Sequence, residues 1–172
     1  MSELRRLADA KIDAERAKLL AALHDRVETL KAKQAAAGVL MSGITLLLLV
    51  KVFAEMLESL RDVIATQYQW AITESLFSTQ SYVEDLVVAS REQVAMLRNP
   101  CNDRLVRESR NISAPPTATE ECTRKLDAKS EEVCGDIALA LRSKFAELKN
   151  RRIRGIWEAA TGWITKLLGR PT

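Results

Sequence analysis

Apolar positions recur at helical spacing through most of the chain. Leu20, Leu23, Val27 and Leu30 step by three, four and three residues, a narrow stripe suited to pairing with another helix. Leu46, Leu49, Phe53, Leu57, Leu60 and Ile64 continue the pattern, followed by Ile72, Leu76, Val83, Leu86, Val94 and Leu97. The register slips near Gln67–Trp70, where a kink fits. Further on, Cys134, Ile137, Leu141, Phe145 and Leu148 line one side of another helix. Helix-on-helix core explains these stripes, aromatics included.

The breakers delimit the elements. No glycine or proline occurs from Met1 to Ala37, nor from Ile44 to Asn99. Such spans, rich in Ala, Leu, Glu, Lys and Arg, read as long helices. Residues 99–118 carry Pro100 and the Pro115-Pro116 pair and read as a loop. Thr117 followed by Glu120 fits a capping box that opens a helix near residue 118 and carries it to about 150. The chain then divides into a charged helix over 1–34, an apolar segment over 35–54, the rest of the long helix over 55–98, the loop over 99–118, a helix packing back over 119–150, and a basic segment over 151–172. The fold class is all-α, an antiparallel bundle or coiled-coil-like rod.

Residues 35–54, AAAGVLMSGITLLLLVKVFA, have the length of a membrane span. Twenty helical residues cover about 30 Å, the thickness of a bilayer's hydrocarbon core. Lys51 is the one charge, placed near an end where its stem can reach the interface. The alternative is an amphipathic bundle helix: Lys51, Glu55, Glu58 and Asp62 share one face, and Leu49, Phe53, Leu57 and Leu60 the other. On the membrane reading, Ala35, Gly38 and Ser42 form a small-residue strip for helix association and self-assembly. Arg16, Lys18, Arg26, Lys31 and Lys33 precede the segment, whereas only Arg61 falls in the twenty residues after it. That asymmetry orients a single-pass span with its N-terminus cytoplasmic.

The three cysteines all fall on the side that this orientation makes oxidising. Cys122 and Cys134 lie about 18 Å apart on one helix and cannot pair. A hairpin across the 99–118 loop brings Cys101 toward Cys122. The expectation is therefore a Cys101–Cys122 bridge with Cys134 a free core thiol; three reduced thiols in a cytoplasmic soluble bundle is the competing state.

Composition narrows the chemistry. Glycine and proline total ten of 172 residues, too few for a turn-rich β sandwich or a fibrous repeat. One histidine, His24, excludes any site built on two imidazoles, and a net charge of +3 names no partner. No phosphate-binding glycine loop or nucleophile elbow is present. The cysteine spacing makes a poor zinc site, and adjacent acidic pairs such as Glu84-Asp85 splay around a helix. No catalytic residue, metal or cofactor is expected. Asn111-Ile112-Ser113 is a glycosylation sequon in the expected loop.

The C-terminal stretch carries more. Eight basic residues stand against two acidic ones from 141 to 172. Lys149, Arg151, Arg152, Arg154 and Lys166 flank a helical face bearing Trp157, with Trp163 beside it, the make-up of an interfacial membrane helix. Docking on the bundle competes with that reading, and nucleic-acid contact by the short run 149–154 is less favoured. Together these features suggest a non-enzymatic, membrane-anchored helical protein with a structural, tethering or assembly role, its partners membrane lipid and other helices. A soluble helical scaffold is the alternative.

Overall fold

The computed structural model describes residues 3–40, 43–75 and 78–168, with side chains described through Arg152. Four helices follow one another: α1 (Glu3–Ala36), α2 (Gly43–Glu74), α3 (Gln80–Asn111) and α4 (Pro116–Leu168). The all-helical bundle agrees with the periodicity, but the breaks fall in different places.

The first break divides the segment 35–54. Gly38 takes φ +70°, donates to Ala35 O at 3.0 Å, and Val39 N donates to Gln34 O at 3.0 Å. This paired closure is a Schellman motif, which uses a left-handed residue that glycine reaches without a Cβ penalty. The small-residue strip is thereby corrected. Ala35 lies in the last turn of α1 and Gly38 sits in the turn after it, so they share no helical face; Ser42 lies outside the described residues. The segment is not one helix. Among the described residues, no helix is long and apolar enough to cross a membrane.

The second break divides the expected long helix, some eight residues after the predicted slip and without glycine or proline. The Ser78 hydroxyl donates to Ile72 O at 2.8 Å at the end of α2, and Thr79 caps α3 by accepting from Tyr82 N at 3.2 Å. Hydroxyl side chains serve both helix ends here.

The expected 99–118 loop is also corrected. α3 runs through Pro100 to Asn111, because Leu97, Cys101, Leu105 and Glu108 continue its buried stripe. An interior proline removes one helical hydrogen bond, but buried packing on both sides holds the helix together. The turn is confined to residues 112–115. Ser113, at φ 51°, donates to Arg110 O, and Ala114 N donates to Ser109 O, a second Schellman motif with serine where glycine is usual. α4 then opens at Pro116, so Thr117 lies within the helix rather than capping it. It continues past residue 150 to Leu168, making residues 151–168 part of the same backbone helix.

Cross-helix contacts fix the directions. Arg104 meets Glu28, and Lys31 meets Glu108, so α1 and α3 run parallel. Lys129 meets Glu58, and Arg61 meets Asp136, so α2 and α4 run parallel. Arg98 binds Asp127 and Arg142 binds Glu84, setting α3 antiparallel to α4. Helix α2 packs on all three others, whereas α1 and α4 do not touch among the described residues. The cross-section is a rhombus with α2 and α3 on its short diagonal. The largest share of its core comes from α2, through Leu46, Leu49, Phe53, Leu57, Leu60, Ile64 and Ile72, met by Leu86, Val94 and Leu97 of α3 and Leu126, Ile137 and Leu141 of α4. α1 buries little: Ala8, Ile12 and Val27 fully, and Leu20, Leu23 and Leu30 in part.

Candidate functional site

Each end of the bundle gathers elements that are distant in sequence. At one end lie the start of α1, the α2–α3 break and the departure of α4. The Tyr68 hydroxyl donates to Asp9 Oδ1 at 2.7 Å and Lys11 sits over the Trp70 ring, which levels the start of α1 with the end of α2. Arg152 Nη2 donates to Ser75 O at 2.9 Å, close to the end of α2. A cation there complements the negative end of the helix dipole.

Beyond Arg152 the backbone of α4 stays helical for sixteen more residues, about 24 Å. Helices α2 and α3 have 32 residues each and α4 has 53, so the excess belongs to the basic segment. Lys149 and Arg151 are exposed as the chain leaves the bundle, and Arg151 pairs with Glu147 at 3.2 Å. The side chains of Arg154, Trp157, Trp163 and Lys166 lie outside the described residues.

The cysteine expectation is not met. Cys101, Cys122 and Cys134 are all free and buried, on the packed faces of α3 and α4. Cys101 occupies the stripe between Leu97 and Leu105 instead of a loop, and no bridge joins it to Cys122. Burial pushes the Cys101 thiol up to about 12 and raises those of Cys122 and Cys134 as well, which favours the protonated thiol in all three.

An ionic cluster that the sequence reading missed joins α1 to α3. Glu108, with a side chain 3% exposed, meets Lys31 Nζ at 3.2 Å and Arg104 Nη2 at 2.8 Å, and accepts from Asn111 Nδ2 at 3.1 Å. Glu28 meets the same Arg104 and Lys31, at 2.6 and 3.3 Å. Burial pushes the Glu108 carboxyl up, but the bonds from Asn111 and Lys31 and the Arg104 charge outweigh it and hold it below its usual range. The signal was an Arg104/Glu108 pair four residues apart, in phase with Cys101 and Leu105. Two carboxylates and two cations, all engaged with one another, fasten two helices and leave no group poised for proton transfer. Asn111, the sequon residue, spends its amide on this cluster.

Surface grooves offer little else. Two, of about 480 and 470 Å3, follow the α1–α2 seam and are lined by residues such as Lys11, Asp62 and Gln67, and Arg26, Thr29 and Glu55. A third, about 280 Å3, holds exposed His24 beside Pro100, Asp103 and Arg107. No group of three or more His, Cys, Asp or Glu side chains suited to a metal occurs among the described residues.

No protein-family model, curated protein or solved structure matches the chain. The functional reading therefore rests on the geometry.

Proposed function

We propose that the protein is a non-enzymatic helical tether whose bundle serves as a rigid base and whose C-terminal α4 extension binds an anionic membrane surface from outside the bilayer. The observation that carries this reading is the length of α4. It outruns the other helices at the end of the bundle, and the part that outruns them holds Arg154, Trp157, Trp163 and Lys166. A helix with tryptophan on an apolar face and flanking cations binds interfacially through buried apolar area and attraction to acidic headgroups. Arg152 adds a mechanical point: by holding Ser75 it ties the root of the extension to α2.

A helical-scaffold role is the second reading, favoured by the half-covered face of α1. Leu20, Leu23 and Leu30 are only partly buried, since α4 packs across the bundle from α1. Nucleic-acid contact through residues 149–154 is a third and weaker reading.

Vesicle co-sedimentation tests the proposal. The full chain is mixed with phosphatidylcholine vesicles containing about one-third phosphatidylglycerol, and with neutral vesicles. Binding to the anionic set is expected, falling at least about tenfold in an Arg154→Glu, Trp157→Ser, Lys166→Glu variant. Equal binding by variant and wild type overturns it, and salt-sensitive binding to duplex DNA without lipid binding selects the third reading.

A further inference from the structure

The other end of the bundle, at the α1–α2 turn, carries a different surface. Ile44 is 56% exposed, Leu47 46% and Val39 37%, with Leu40 and Leu48 half-buried beside them. These three account for three of the seven large apolar side chains exposed among the described residues, gathered within nine positions. No acidic residue occurs between Glu28 and Glu55, while Lys33 and Lys51 lie exposed on either arm of the turn. Lys51 is about 6 Å along α2 from Leu47, and exposed Arg26 faces a similar level from α1. On α1 and α2 the next exposed acids, Asp25 and Glu55, stand at or below that basic collar, and the first turns of α4 bring exposed Glu120 and Glu121 to this end together with exposed Arg124 and Lys125.

Part of the backbone at this turn is hydrogen-bonded within the protein. Ala37, Gly38 and Val39 donate to Lys33, Ala35 and Gln34 carbonyls, and the Thr45 hydroxyl lies 2.9 Å from Leu40 O and 3.2 Å from Val39 O. Each main-chain group bonded in this way costs less to place in lipid than an unsatisfied one. The charges discriminate between occupants. Protein interfaces deplete lysine, whereas a bilayer accommodates lysine and arginine below an apolar tip, where their stems lie in the interface and their heads meet phosphate.

From this end we infer a second lipid-binding element, in which Val39, Ile44 and Leu47 enter the headgroup boundary of an anionic bilayer and Arg26, Lys33 and Lys51 meet its phosphates. The inference rests on the proposed function in one respect: with the α4 extension at the opposite end, the protein bridges two bilayers. The bundle between them is about 48 Å long, the length of a 32-residue helix.

The experiment mixes the full chain with the same anionic vesicles and follows binding by co-sedimentation and clustering by light scattering. Three proteins are compared: wild type, an Ile44→Asn, Leu47→Gln tip variant, and the α4 variant above. Both tip residues are exposed, so the core is unaltered, and matched circular dichroism and thermal midpoints verify the fold. The expected result is that wild type binds and clusters vesicles, the tip variant binds but loses clustering at least about tenfold, and the α4 variant keeps only the residual binding that the tip supplies, at least about tenfold below wild type, without clustering. Clustering by the tip variant equal to wild type overturns the inference and leaves the α4 reading standing. Binding by the α4 variant equal to wild type, abolished in the tip variant, supports the tip and overturns the α4 reading. Sedimentation velocity without lipid settles the remaining occupant: a dimer lost in the tip variant means that a second copy covers the tip, which also overturns the inference.

Discussion

Lys31 on α1 reaches Glu108 on α3 at 3.2 Å, and this pair fastens the least buried helix to the core. Arg104 and Asn111 complete the shell of the carboxylate. Replacing Glu108 with Gln removes the negative charge and leaves Lys31 and Arg104 facing only Glu28. The expected cost is about 2 kcal/mol by urea denaturation, the range for hydrogen bonds to charged groups. A pH dependence follows. The folded carboxyl titrates below its ordinary value of 4.5, so the native state holds the proton less readily than the unfolded chain. Its stabilisation is complete above that ordinary value and lost as pH falls toward the lower folded one. Glu108→Gln flattens the acid limb of the stability profile; an unchanged limb contradicts the assignment.

The two Schellman closures make opposite predictions. Gly38 has φ +70° with nothing within 4 Å of the place a Cβ would take, so Gly38→Ala costs about 1 kcal/mol from backbone conformation alone. Ser113 has φ 51° without that freedom. Ser113→Gly is expected to stabilise by up to about 1 kcal/mol. Thermal midpoints moving down for the first and up for the second check both together.

These turns also explain what the sequence made legible. The apolar stripes placed Leu46 to Ile64, Leu86 to Leu97 and Ile137 to Leu141 in a helical core, where the structure has them. Periodicity is a property of one helix and reads without knowledge of its neighbours. The breaks were harder. Ser78 and Thr79 stop one helix and cap the next with hydroxyls and no glycine or proline between them, and Ser113 fills a glycine position. Pro100 misled in the other direction, because tertiary packing of Cys101 and Leu105 overrides a local penalty. The ion cluster around Glu108 depends on the parallel placement of α1 and α3, which no local pattern encodes.

Pro100 allows a direct test of that override. Its missing N–H leaves Met96 O without its usual donor inside α3. Pro100→Ala restores the bond and removes the ring's clash with the preceding turn. Stabilisation of about 1–3 kcal/mol is expected. Destabilisation by the same measurement means that the half-buried ring packs too well to replace.

The cysteines predict a chemical behaviour. With all three buried and the Cys101 thiol raised to about 12, native protein resists iodoacetamide. Denaturant without reductant then exposes three alkylatable thiols. Mass spectrometry reports the number of adducts in each condition, and fewer than three after denaturation reveals a bridge that the structure lacks.

Tyr68 offers the last test, at the end of the bundle from which α4 departs. Its ring is fully buried in α2 and its hydroxyl donates to Asp9 Oδ1 at 2.7 Å, joining α2 to the first turns of α1. Burial, then the bond to Asp9, pushes the phenol well above its ordinary value, so the hydroxyl remains a donor across the working pH range. Tyr68→Phe keeps the ring and its packing but removes the donor. Asp9 is half-buried and retains Arg5 Nε at 3.6 Å, so its carboxylate is not stranded. The cost is then that of one charge-assisted hydrogen bond, about 1.5 kcal/mol. Because α1 meets the rest of the bundle through few fully buried side chains, the loss falls on α1 first. Hydrogen exchange resolved by segment is expected to quicken over the first turns of α1 while the middle of α2 stays protected. Uniform quickening of all four helices contradicts a local role for the bond and makes Tyr68 a determinant of global stability.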